Sequence, residues 1–566
     1  MNSITVLILG LVVFFVGYRV YAKRIDSRVI KSDARKVTPA KMHMDGVEFM
    51  PVSRNILFGY QFISIAGVGA IVGPMVAIQW GWLPALMWIL LGTLFIGWVQ
   101  DYSCAMMAMR KDGASLAQLS YTLVSPRART VFRCLVCFFL LVVAGSFGNI
   151  AVEAATAHKS SPLGWLFLTI GGLLAGQMIF RWRKSVLLCT LVCVLIALFG
   201  VWLGTVAPSD KLLGTALSGY RPLWAVAVLI FCCISAVLPI WRFALPISYV
   251  ASCIVFLGLV FGIIGILVLH PDFTLPAYAG FEIETGPIWP IMFLTIGGGA
   301  VSGWHGIATS YGTARLLGNE MHARPVCGGA VFVEMALAVF ALIVAGTIYA
   351  SSSDYAAALT KGPAGIFTSG TSTFLGALGM PALLGKSYGG VMWFVLAVTI
   401  LQLVIRFMRI AVSELLGDMS PVFRNAHVGT AIAGGLTLIL ILTKWWQYLW
   451  MLFAGLNLLL ASLALMLATA FLMSEGKTRA WTFYPMIFMF LMAMGALLFT
   501  SYSRFEAVFS GPIERWPSLG KMLMGLLAVF LIIGAIILAL EGIKAFRRHR
   551  SISPQVKDAP GGAYTR

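Results

Sequence analysis

Apolar runs of 18 or more residues recur along the whole chain, and nothing else in it constrains the fold as strongly. In hydrocarbon every backbone polar group must be bonded within the protein, so a run of this length reads as a transmembrane helix. Composition agrees: 60% of the 566 residues are hydrophobic and 11% charged, whereas a soluble domain carries roughly 25% charged residues. The pattern predicts an all-α polytopic membrane protein of about fifteen spans, near 2–22, 56–78, 83–109, 131–157, 162–180, 186–206, 223–241, 246–269, 289–315, 327–350, 388–416, 428–443, 447–473, 481–500 and 520–546. Three regions follow: a first span with a basic loop (1–55), a central block (56–416), and four further spans with a short basic tail (417–566).

The net charge of +19 sorts by position. Lys23, Arg24, Arg28, Lys31, Arg35, Lys36, Lys41 and Arg54 follow the first span, Arg110 to Arg133 the third, and Arg181, Arg183 and Lys184 the fifth. The alternate connections carry acids such as Asp210, Asp272, Glu282 and Glu284. This is the positive-inside pattern; it places the N-terminus outside and the "KAFRRHR" tail inside. The charge is therefore a topology signal and not a nucleic-acid surface. The first span has its cations after the apolar stretch, which reads as an uncleaved helix and not a signal peptide. The nine cysteines fall almost entirely in spans, and the Cys134/Cys137 pair opens an apolar helix, so no disulfide is expected.

Three places look like helix breaks: "AGVGAIVGP" in the second span, "AVLPIWRFALP" between the seventh and eighth, and "TIGGGAVSGWHG" in the ninth. Glycine and proline are the poorest helix formers. Small residues also let helices pack closely, and Gly69 and Gly73 have that spacing. Interrupted helices at matching positions of two halves point instead to a transport site. Spans two to six and seven to eleven would be those halves, inverted because each has an odd number of spans. "GVGAIVG" follows no strand, so it is not a phosphate loop.

"FGYQFISIAGVGAIVGPMVAIQWGWLPALMW", "VQDYSCAMMAMRKDGASL", "AVLPIW…LPISY" and "GPIWPIMFLTIGGGAVSGWHGIATSYGTARLLGNE" resemble the carbon starvation protein A family, from about Thr38 to Pro421. The resemblance implies a secondary transporter with the five-plus-five inverted repeat of the amino acid–polyamine–organocation (LeuT-like) type. It also implies uptake of peptides or pyruvate during carbon starvation. Departures stand beside it. The family's Phe-Gly-His-His-Phe is Phe58-Gly59-Tyr60-Gln61-Phe62 here, an Arg-Asp pair is lost around Ile247 and Ser248, and two acidic positions are Trp393 and Gln402. The span-eleven arginines are retained as Arg406 and Arg409, and a late Ala-Asn-Gln is Leu456-Asn457-Leu458. The chain is a divergent member.

Ionisable groups inside spans are functional candidates by default. Asp101 matches the family's Gln-Asp and reads either as a proton carrier or as an ion-pair partner of Arg110 or Arg315. His305 is the one histidine well inside a span, and its ordinary pKa near 6.5 suits proton exchange. Glu334 in the tenth span and Glu153 at the end of the fourth complete the set. Asp101, His305 and Glu334 are the expected ion-coupling residues, for a proton or sodium ion. An unwound segment at Gly67, Gly69 and Gly73 would present free N–H groups to a carboxylate. Tyr60, Gln61, Ser64, Ser302, Gly303 and Thr309 are then expected to line the substrate site.

The other histidines lie in loops or at span ends, so no haem or metal ligand set is present, and no catalytic residue or cofactor is expected. A channel and a non-transporting sensor built on the same fold remain the rival readings. The partners expected are a small solute and the lipid bilayer, with the four C-terminal spans, opened by Trp445, Trp446, Tyr448 and Trp450, as scaffold or homodimer surface. The Ser/Gly/Thr-rich stretch 351–387 reads as an outward-facing lid or a plain connection.

Overall fold

The computed structural model describes residues 1–298, 301–443, 445–510 and 515–552. Gly299, the tail after Ile552 and the side chains of Tyr448 and Trp450, all singled out above, lie outside the described residues. Among those described, twelve helices are long and apolar enough to cross a membrane, thirteen if one bent pair counts as a single span. The chain is a multi-pass, almost wholly helical membrane protein. The expected fifteen differ from this count for local reasons. The second span is the bent pair Arg54–Ile65 and Gly69–Trp80, the seventh is an apolar helix of only 17 residues (Arg221–Val237), and the ninth is cut into short pieces.

The first break is narrower than the glycines suggest. Only Ala66 to Val68 lie between the helices Arg54–Ile65 and Gly69–Ala77, so Gly69, Gly73 and Pro74 are helical, with a 45° bend between the arms. Gly73 has a packing role: a Cβ there would come within 2.7 Å of the Thr295 carbonyl oxygen and 3.0 Å of the Ile296 Cα. The resumed helix thus lies backbone to backbone on the second break, where the ninth span stops at Ile296–Gly298 and restarts as Gly303–Tyr311.

"AVLPIWRFALP" is not a broken span. Helix Arg221–Val237 ends before Pro239, and Ala244–Leu269 begins before Pro246, which sits in its first turn. Proline is tolerated there because the first N–H groups of a helix have no partner to lose. The two interruptions therefore fall in the second and ninth spans, seven apart, and not in the second and seventh.

The stretch 351–387 is a pair of short helices and not a loop. Ser351 caps Ser352–Thr360 by accepting from the Asp354 N–H at 3.2 Å, and Pro363 opens Pro363–Gly376. The buried Tyr355 hydroxyl donates to the Met75 carbonyl, which seats this element on the resumed arm of the second span.

The most buried helices are Ala382–Leu416, Glu320–Thr347 and the membrane part of Trp446–Ser474. Helix Trp446–Ser474 belongs to the region expected to be peripheral, yet it is enclosed by the others. By contrast, Val186–Val206 and Ala480–Phe509 leave most of their apolar surface outward, as lipid-facing helices do.

At the basic end, Arg110 and Glu320 form a buried bidentate pair with both N···O distances 3.0 Å, and Arg110 also donates to the Lys31 carbonyl. The pair ties the third span to the start of the tenth. Arg110→Met leaves Glu320 buried without its partner and is expected to cost about 3–5 kcal/mol, read as a drop in thermal unfolding temperature in detergent. The double variant Arg110→Met/Glu320→Leu is expected to recover most of that loss.

Candidate functional site

The two breaks face each other at the centre of the bundle, and the groups they free are bonded by side chains. Asn457, on the buried helix Trp446–Ser474, spans the ninth-span break. Its Oδ1 accepts from Ser302 Oγ (3.0 Å) and from the Trp304 N–H (3.1 Å), while its Nδ2 donates to the Gly297 carbonyl (3.1 Å). Asn457 thus caps helix Gly303–Tyr311 from outside, the task an N-cap side chain usually performs. Gly303 is what lets it approach, since a Cβ there would collide with the Asn457 carbonyl oxygen and with Leu460. Gln100 Nε2 donates to the Ser302 carbonyl (2.5 Å), and the Trp304 indole N–H donates to the Ser64 carbonyl (2.6 Å). The indole therefore joins one break to the other.

Between the breaks lies a cavity of about 20 Å³, lined by Gly67, Gly69, Phe147, Ser302, Trp304 and Ile400. It has room for roughly one water molecule, so this conformation is closed. The expected liners are turned to one another. Gln61 Nε2 donates to Thr309 Oγ1 (3.0 Å) and its Oε1 accepts from Thr313, while Ser64 Oγ donates to the Tyr60 carbonyl (2.5 Å). Gly73 packs on the ninth span, as described, and does not reach the cavity lining.

Three spans bring the expected ionisable residues together. His305 stands on the first turn after the ninth-span break; its Nδ1 lies 3.4 Å from Asp101 of the third span and its Nε2 3.4 Å from Glu334 of the tenth. All three side chains are buried. Asp101 is therefore the partner of His305 and not of Arg110 or Arg315. Arg110 pairs with Glu320, while Arg315 donates to the Gly113 carbonyl (3.2 Å) and lies over the Phe49 ring. Glu153 is apart from all this, half exposed and 3.8 Å from Arg221.

The chemistry of the triad follows from its charge. With the imidazole neutral and both acids ionised the group carries −2; two protons bring it to zero, the state a low-dielectric site favours. Between those two states it can take up or release two protons. The ring separates the carboxylates, one on each nitrogen, so the two do not converge on one point as oxygen ligands of a hard cation do. The described residues contain no group of three or more His, Cys, Asp or Glu able to hold a metal ion.

Two features of the site were obscure in the sequence. Asn457 stands there in the altered late motif Leu456-Asn457-Leu458, and nothing in that segment ties it to the breaks. Glu48 reads as one acid in a basic loop; it binds Arg406 Nη2 at 2.8 Å and also Arg409.

The family model described as Carbon starvation protein CstA matches residues 2–358 and 348–496. The pyruvate/proton symporter BtsT of Escherichia coli (strain K12) is 31% identical over 357 residues, 61% of this chain and 49% of that protein. The peptide transporter CstA of the same strain is 28% identical over 561 residues, 85% of this chain and 78% of that protein. The peptide transporter CstA of Bacillus subtilis (strain 168) is 29% identical over 365 residues, 63% and 60% respectively. The match thus spans about half the length of BtsT and more than three quarters of the E. coli CstA. Among solved structures, MhsT in complex with L-phenylalanine aligns over 87% of this chain with 13% identity and a TM-score of 0.38, too low to bear on the fold.

Asn457→Ala removes one side chain from three buried hydrogen bonds. The expected loss is on the order of 3 kcal/mol in thermal unfolding, with faster hydrogen exchange confined first to residues 301–311. Asn457→Asp, which keeps both acceptor contacts, is expected to retain more stability than Asn457→Ala.

Proposed function

The chain belongs to the carbon starvation protein CstA family, and on that premise we propose that it is a secondary active transporter, not an enzyme, which takes up peptides or a small carboxylate such as pyruvate in symport with protons. The observation that carries the reading is the buried Asp101–His305–Glu334 triad, whose histidine stands in the first turn after a helix break. Its position couples charge to conformation. Gln100, next to Asp101, bonds the same Ser302 carbonyl that borders the cavity, so a shift of the break moves the triad's neighbours directly. A proton is favoured over sodium because the imidazole stands between the acids.

The basic end of the bundle faces the cytoplasm in this reading, with the N-terminus outside. The transport core is an inverted repeat that begins at the second and ninth spans. In each half a broken helix is followed by a long helix (Trp82–Arg110; Glu320–Thr347) and then by short helical elements (Leu116–Leu123; Ser352–Gly376). A long buried helix comes next in both (Pro126–Ala157; Ala382–Leu416). A separation of seven spans is odd, which keeps the halves inverted, and the core extends through Trp446–Ser474. Tyr60, Gln61, Ser64, Ser302 and Thr309 become substrate contacts once the Gln61–Thr309 bridge opens.

Proteoliposomes loaded against separate proton and sodium gradients test the reading with radiolabelled pyruvate and dialanine. Accumulation of one solute is expected under an inward proton gradient and not under sodium alone. His305→Ala is expected to lower gradient-driven uptake about 100-fold, the scale of a lost acid–base group, while solute exchange at equal pH persists. Accumulation driven by sodium alone overturns the proton assignment; no accumulation of either solute under any gradient overturns the transport reading for these substrates.

A further inference from the structure

The end of the bundle that carries the basic loops holds a second charged site, which neither the triad nor the cavity uses. Segment 43–53 lies across it and lowers one acid inward. Asp45 Oδ1 accepts from the N–H groups of Val47, Glu48 and Phe49 (2.7, 2.8 and 2.8 Å), a tight turn that presents Glu48. Arg406 and Arg409 converge on the same Glu48 oxygen. Arg406 is wholly buried and also donates to the carbonyls of Ser235 (2.8 Å) and Leu238 (2.9 Å). Arg315, buried beside them, lies over the Phe49 ring. The nearby acid Glu414 is bonded to Ser115 and Tyr311 and not to these arginines. Two guanidiniums thus share one carboxylate, with a third close by, and that carboxylate is delivered by a loop.

Two observations mark this as a site for a ligand and not only an internal salt bridge. The Tyr60 hydroxyl, fully buried on the inner arm of the second span, has no hydrogen-bond partner among the described residues. It sits against Gly312 and the Phe407 neighbour of Arg406, within the field of Arg406, Glu48 and Arg315. Counted along the helix, Tyr60 is roughly 9 Å from the break at Ala66, toward the end of the span that begins at Arg54. The segment is anchored at its far end, where the buried Val52 donates its N–H to the Leu316 carbonyl (3.0 Å) and Phe49 lies under Arg315. Within the turn Met44 and Val47 stay exposed, and Glu48, with the Val47 carbonyl bonded to the Ile240 N–H (3.1 Å) and to Arg406, is what fastens it.

We infer that Arg406 and Arg409 form a carboxylate-binding station on the exit side of the cavity, filled by Glu48 when segment 43–53 is seated and by the substrate's own carboxylate on release. The inference rests on the transport reading and names the substrate class: solutes with a free carboxylate, such as a 2-oxo acid or a peptide C-terminus. Withdrawing Glu48 alone strips two enclosed guanidiniums of their counter-ion, which is strongly unfavourable. A substrate carboxylate that takes its place keeps the charge balanced, because paired N–H groups of arginine accept any planar carboxylate in the same fork. The empty carrier stays shut, and the loaded one opens.

The test uses the purified full chain in nanodiscs, with binding of pyruvate and dialanine and hydrogen exchange over residues 43–53. Both ligands are expected to raise exchange in that segment, whereas dialanine amide, which lacks the carboxylate, leaves it unchanged. Glu48→Gln is expected to raise exchange without ligand and to tighten binding about tenfold; Arg409→Gln is expected to weaken it about 100-fold, with part recovered by Arg409→Lys. Exchange that responds neither to the two ligands nor to Glu48→Gln overturns the site, as does equal binding of dialanine and its amide. If no variant accumulates either solute in proteoliposomes while pyruvate still releases 43–53, the transport reading fails and the carboxylate station stands.

Discussion

A helix can stop inside hydrocarbon only where something else bonds the backbone groups it frees, and at the ninth-span break that something is the side chain of Asn457. One amide supplies an acceptor to Ser302 and Trp304 and a donor to Gly297, holding both sides of the gap in register. Everything near the centre is placed by that clamp. Trp304 reaches the carbonyl of Ser64 because the restarted helix points it there, and His305, one residue on, meets Asp101 and Glu334 from two other spans. Gln100 closes the circuit through Ser302. The bonds are polar and short, and they replace the helical bonds lost on either side.

The same economy governs charge. The interior holds two clusters of opposite character: an acidic one with a single imidazole, and a basic one with a single loop carboxylate. In the proposed reading the first exchanges a proton and the second exchanges Glu48 for a substrate carboxylate. The acidic one stands on the restarted helix of the ninth span, and the basic one where Glu48 meets the helix Ala382–Leu416.

Hydropathy made most spans legible in the sequence, because the bilayer demands length and apolarity from every helix regardless of its neighbours. Glycine runs marked both true breaks for the same local reason. The proline pair at Pro239 and Pro246 misled, since proline beside the start or end of a helix carries the same local signal as proline in a broken one. Which ionisable residues meet was not legible. Asp101, His305 and Glu334 were each visible as costly residues in spans, but adjacency of the third, ninth and tenth spans is a property of packing. Arg110 was as plausible a partner for Asp101 until Glu320, on the far side of the ninth span in sequence, was seen to occupy it. The roles of Asn457 and Glu48 were hidden for a related reason: the partners that give them lie 153 and more than 350 residues away.

The distance between the ninth-span break and its clamp also sets a schedule for biogenesis. Trp304 emerges from the ribosome 153 residues before Asn457, which at typical synthesis rates is about 8–30 s. Throughout that interval the Gly297 carbonyl and the Trp304 N–H lack the side-chain partner they have in the finished fold. The broken span must wait as a longer continuous helix, at the water interface, or in the care of the insertion machinery. Final closure of the centre is therefore a late, post-insertion event, and helix Trp446–Ser474 acts as its keystone.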